Sequence, residues 1–131
     1  MTVALEAGLV AREPGTLCAF YTGVMRFTLV ERLEHPVGTV YKLRRDAARL
    51  KIFSSVEAID PVATTEPWFT PGGWRYAALS LDTFADVDEL VAAVDASTGR
   101  VLIAPTNHRD GARMALVCDP EGNVWELLAE A

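Results

Sequence analysis

The sequence predicts an α+β fold built from two βαβββ modules, and three observations predict it. Short runs alternate apolar and polar residues, as half-buried strands do. Two windows instead carry apolar residues at helical spacing. The order strand, helix, strand, strand, strand then occurs twice along the chain, and such repetition constrains architecture strongly.

The first module spans residues 1–53. Leu5 to Ala11 is a short apolar run holding one charge, Glu6, which suits a strand buried on at least one face. Pro14 starts a helix, because its fixed φ and missing N–H cost nothing at the first helical position. Leu17, Cys18, Phe20 and Tyr21 give that helix its apolar stripe, and Gly23 ends it. Three strands follow at Phe27 to Leu33, Val40 to Arg44 and Arg49 to Phe53, the last two joined by the turn Arg45-Asp46-Ala47-Ala48.

Residues 74–131 form the second module. Tyr76 to Leu81 is its first strand, and Asp86 is the expected cap of a helix carrying Val87, Leu90, Val91 and Val94 at helical spacing. Strands at Arg100 to Ala104, Arg113 to Cys118 and Val124 to Leu128 complete it, with Asp119 to Asn123 as the final turn. Between the modules, residues 54–73 have the composition of a linker, with Pro61, Pro67, Pro71 and paired glycines. Trp68, Phe69 and Trp74 are too apolar for a free tether, so they either cap the core or line a pocket. One helix covers only one face of a four-stranded half. The expectation is therefore a single domain, 1–131, whose mixed sheet curves around a cup-shaped cleft with the helices outside.

Composition narrows the function. With half its residues hydrophobic and under a quarter charged, the chain is globular rather than disordered. A net charge of −6 argues against nucleic acid, which is bound by clustered Lys and Arg. The one basic stretch, Lys42, Arg44, Arg45, Arg49 and Lys51, reads as the solvated face and turn of a hairpin. Neither a signal peptide nor a membrane span is expected. Cys18 and Cys118 have no metal-ligand spacing and read as free thiols of a reducing cytoplasm.

The ending Leu116-Val117-Cys118-Asp119-Pro120-Glu121-Gly122-Asn123-Val124-Trp125-Glu126-Leu127 resembles the terminal hairpin of the vicinal-oxygen-chelate superfamily, the glyoxalase, bleomycin-resistance and extradiol-dioxygenase group. Ala19 to Phe27 is similar to that family's helix exit, although Arg26 stands where the family usually has glycine. The resemblance implies four metal-ligand positions, two per module: Glu6 and Lys51, then Tyr76 and Glu126. Alternation agrees in part, since Glu6, Lys51 and Glu126 are each a lone polar residue between apolar neighbours.

The residue types at those positions depart from the family pattern of His, Glu or Gln. An ammonium of pKa ~10.4 has no lone pair to give, and a phenol of pKa ~10 is a poor ligand while protonated. The histidines, His35 and His108, lie outside those strands, with His108 expected in a loop from Thr106 to Gly111. No metal site is expected. Lys51 is expected instead to sit between Glu6 and Glu126 where the cation would be, with Tyr76 donating to a carboxylate. Were that pair buried, Lys51→Met would cost about 3–5 kcal/mol.

The expected function is metal-free binding of a small molecule in the cup, like the antibiotic-sequestering members that the resemblance suggests. Trp68, Phe69, Trp74 and Tyr76 would supply stacking surfaces, and Glu6 and Glu126 would favour a cationic ligand. The alternative is a lyase, isomerase or dioxygenase dependent on a divalent Zn, Ni, Fe or Mn ion. Acid–base chemistry through Lys51 is a further option, so whether the chain is an enzyme stays open here. The resemblance also implies a homodimer.

Overall fold

The computed structural model describes residues 1–57, 60 and 67–131. The chain divides into two compact units, Met1–Val62 and Ala63–Ala131. Of the linker read from sequence, residues 58–59 and 61–66, Pro61 included, lie outside the described residues.

In the first unit the elements run β1 (Ala7–Val10), α1 (Pro14–Gly23), β2 (Thr28–His35), β3 (Gly38–Arg45) and β4 (Ala48–Ser55). They form one open sheet in the order β1-β4-β3-β2, with β1 parallel to β4 and the other pairs antiparallel. The helix starts at Pro14 and ends at Gly23, the bounds read from sequence. Strand β1 is shorter than expected, and Glu6 lies just before it.

Alternation decides which residues face the helix. Leu43, Leu50 and Ile52 are buried, whereas Arg44, Arg49 and Lys51, one residue away along the strands, are exposed. α1 packs against β4 and β2, with Leu17, Phe20 and Tyr21 buried and Tyr21 edge-on to both Phe20 and Phe27. Each fully buried Leu or Ile in such a core contributes roughly 1.5–3 kcal/mol. The exit from α1 is held by backbone bonds: Val24 and Met25 N–H donate to the Phe20 carbonyl and Phe27 N–H to that of Tyr21. That path forces Arg26 to φ 61°, the left-handed region that glycine enters freely. Arg45 closes the same corner, donating from Nη1 to the Met25 carbonyl at 2.9 Å.

β2 stays exposed along all its length, and its pairing with β3 slips between Leu29 and Glu31. Gly38, opening β3, has no room for a side chain: a Cβ there would meet the Ser54 carbonyl oxygen and, at 2.7 Å, the Phe53 ring.

The second unit repeats the plan. Its elements are β5 (Tyr76–Leu81), α2 (Phe84–Asp95), β6 (Arg100–Arg109), β7 (Ala112–Cys118) and β8 (Val124–Glu130), with sheet order β5-β8-β7-β6 and β5 parallel to β8. Val87, Leu90, Val91 and Val94 form the buried stripe of α2. The N-cap of α2 is Thr83 rather than Asp86. The Thr83 side chain accepts from Asp86 N–H at 3.1 Å and the Asp86 carboxylate accepts from Thr83 N–H at 3.0 Å, a reciprocal box. Arg113 on β7 ties the helix down through a 2.8 Å ion pair with Asp88. β6 runs on to Arg109 with repeated register shifts, so His108 lies on an irregular strand and not in a loop.

The turn between β7 and β8 is organised by Asp119, a buried polar residue only 2% exposed. Its Oδ1 accepts from the N–H groups of Glu121 (2.9 Å) and Asn123 (3.0 Å), and its Oδ2 from the Asn123 side-chain amide at 2.8 Å. Gly122 supplies the required positive φ of 88°.

Candidate functional site

Four side chains named from sequence lie together beside β5. Trp68 is edge-on to Phe69 (centroids 5.6 Å apart) and to Tyr76 (5.7 Å), the arrangement the ring quadrupole favours. With Trp74 they line an open pocket of about 580 Å³. Trp74 is 94% exposed and Phe69 68%, so neither caps a core.

The loop carrying these rings is shaped by backbone contacts. Thr70 N–H donates to the Pro67 carbonyl at 2.9 Å, and Arg75 Nε reaches back to the Thr70 carbonyl at 2.8 Å. Gly72 and Gly73, at φ 134° and 81°, make the reversal between them. The Arg75 guanidinium, at 3.4 Å also from the Pro71 carbonyl, is thus engaged in holding the loop.

Glu6 and Lys51 meet in the first unit, with Lys51 Nζ 3.8 Å from Glu6 Oε1. Their side chains are 46% (Lys51) and 31% (Glu6) exposed, so this is a solvated pair rather than a buried one. In the second unit, Glu126 is half-buried on β8, in register with Ala78 of β5 and Leu116 of β7. That register puts Glu126 on the same sheet face as Tyr76, whose partner on β8 is Val124. Of the histidines, His35 ends β2 and accepts from Val37 N–H at 3.3 Å, while His108 is exposed on β6.

The two modules, their matching strand orders and the terminal turn make the fold comparable with known proteins. A family model, Glyoxalase/Bleomycin resistance protein/Dioxygenase superfamily, matches residues 4–127. The chain belongs to that superfamily. Similar solved structures carry the same fold at low identity. A glyoxylase/bleomycin resistance protein/dioxygenase domain from Frankia sp. EAN1pec aligns at TM-score 0.83 and 11% identity, over 100% of this chain and 93% of that one. A glyoxalase family protein from Bacillus cereus aligns at 0.79 and 12%, over 99% and 95%. The genomically encoded fosfomycin resistance protein FosX from Listeria monocytogenes aligns at 0.71 and 11%, over 100% and 95%. No curated protein matches the chain.

The superfamily's metal does not fit the first-unit pair of this member. One of its two implied donors is an ammonium, which offers a cation repulsion and no lone pair, and it already lies beside the carboxylate that would be the other donor. Among the described residues, no three His, Cys, Asp or Glu side chains group as a metal site would need.

Three features of this superfamily member were not drawn from the sequence. One is the share of work done by Asp119 within the turn. Another is the left-handed Arg26, whose signal was already present as an arginine in a glycine's place. The third is the like-charge pairing within the basic hairpin face, Lys42 opposite Lys51 and Arg44 opposite Arg49, which only the register shows.

Proposed function

We propose that this superfamily member binds a small molecule without a metal ion. The observation that carries the reading is the open aromatic pocket of about 580 Å³ where Trp68 meets Phe69 and Tyr76 edge-on. Its volume lies within the roughly 300–1,000 Å³ of ligand sites, and exposed rings are poor core but good stacking surface. The Lys51 ammonium beside Glu6 supports the metal-free part. The free thiols of Cys18 and Cys118 are in keeping with a reducing cytoplasm as its setting.

The test is metal content after exposure to Zn²⁺, Ni²⁺, Fe²⁺ and Mn²⁺ and dialysis, measured by plasma mass spectrometry on untagged protein. Substoichiometric metal is the expected result. Near-stoichiometric metal that survives dialysis overturns the proposal in favour of a metal-dependent lyase, isomerase or dioxygenase.

A further inference from the structure

The register of the first sheet gathers four cations on one face. Lys42 lies directly opposite Lys51, and Arg44 directly opposite Arg49, across the β3–β4 pair. Partners in such a pair share a face, with Cβ atoms about 5 Å apart, and like charges so placed repel. The intervening residues Leu43, Leu50 and Ile52 are buried on the α1 side, which leaves the cations on the open side. Arg45, of opposite parity, turns away to the Met25 carbonyl.

Few carboxylates offset them. Glu6 meets Lys51 at 3.8 Å, and Glu31 is in register with Lys42. Among the described residues, Lys42, Arg44 and Arg49 form no ion pair. Four cations thus face two carboxylates in a chain of net charge −6, and the sign is opposite to that suggested by Glu6 alone. Folding gains nothing from stacking like charges in two successive rungs of a ladder. An anion bound across them offsets that repulsion.

The next rung on the same face is apolar. Val10, Phe53, Val40 and Leu33 line up across β1, β4, β3 and β2. Val10 is 74% and Leu33 39% exposed, and Phe53 lies over Gly38, where any side chain would displace its ring. An apolar strip therefore adjoins the cationic rungs.

We infer that the open face of the first sheet binds a small-molecule oxyanion that carries an apolar body, its charged group over Lys42, Lys51, Arg44 and Arg49 and its body along the Val10–Phe53–Val40 strip. This goes beyond the small-molecule reading above, which concerns the aromatic pocket of the second unit, whereas this face belongs to the first. Guanidinium and ammonium donors form charge-assisted bonds to phosphonate or carboxylate oxygens, which gives the charged end its selectivity.

The test uses the full, metal-free chain labelled with ¹⁵N and titrated with hexylphosphonate, inorganic phosphate and hexyltrimethylammonium. Hexylphosphonate is expected to shift the amides of β3 and β4 saturably, inorganic phosphate to bind more weakly for lack of an apolar body, and the ammonium not to bind there. Lys42→Gln and Arg44→Gln should each weaken hexylphosphonate about tenfold, the loss of one charge-assisted bond. Both should keep or raise Tm, because each also removes a like-charge contact; a residue with only a structural role would not split binding from stability in this way. Three results would overturn the inference: no saturable shift from hexylphosphonate, equal binding by the ammonium, or unchanged affinity in both variants. Since metal uptake is read separately by mass spectrometry, failure here is distinguishable from failure of the metal-free reading.

Discussion

The Lys51 ammonium lies 3.8 Å from the Glu6 carboxylate, with both side chains open to solvent. Solvent screening reduces such a pair to about 0–1 kcal/mol, well below the 3–5 kcal/mol of a buried one. Lys51 also stands opposite Lys42, so removing it relieves a repulsion while breaking an attraction. Lys51→Met should therefore change unfolding free energy in urea by less than about 1 kcal/mol. A loss of several kcal/mol would mean that the pair is sealed from water.

Asp119 should be far less dispensable. Its carboxylate satisfies two backbone N–H groups and the Asn123 amide while itself buried. Asp119→Ala leaves those donors without their acceptor and should cost about 2–3 kcal/mol. Asp119→Asn keeps one acceptor oxygen and should lose less, a ranking that parallel denaturant titrations of the two variants would check.

At Arg26 the backbone sits at φ 61°. The left-handed region costs an L-residue roughly 1–2 kcal/mol, a cost absent in glycine. Arg26→Gly should hold or raise Tm. Arg26→Val, with branching at Cβ, should lower stability by at least about 1 kcal/mol. Equal melting temperatures for the two variants would contradict the strain.

Burial pushes the Cys18 thiol above its ordinary value. The folded chain thus holds that proton more tightly than the unfolded one. Its contribution to stability is present below the unfolded thiol's pKa and is lost as pH rises through the folded one. Iodoacetamide should accordingly label Cys18 more slowly in the folded chain than in the urea-unfolded chain at mildly alkaline pH, with the gap closing as pH rises. Equal labelling rates at every pH would refute this.

The bounds of α1 and β5 were legible in the sequence because local chemistry sets them: Pro14 at the first helical position, and a strand beginning beside Trp74 and Arg75. For α2 the sequence suggests Asp86 as the cap; Asp86 does bond at the N-terminus, but as the reciprocal partner of the N-cap Thr83. The sequence suggests a loop from Thr106 to Gly111 around His108, whereas β6 continues to Arg109 with register shifts that break its alternation. Of the candidate site, the residue types were readable and the juxtapositions only partly so. Trp68 and Tyr76 are eight positions apart, and only the turn at Gly72 and Gly73 brings their rings into contact. Lys42 and Lys51 looked like an ordinary solvated hairpin until their register set them opposite each other.

β2 bears on a different matter, the chain's behaviour at high concentration. It is an eight-residue strand at the border of its sheet, with Leu29, Val30 and Leu33 exposed. Such a border is a template onto which a foreign strand can add, the first step of aggregation. Two devices act against this here: the slip in pairing after Leu29, and the charges of Glu31, Arg32 and Glu34 that any added strand would have to desolvate. The same charges that contribute little to the folded state thus keep one copy from growing onto the next.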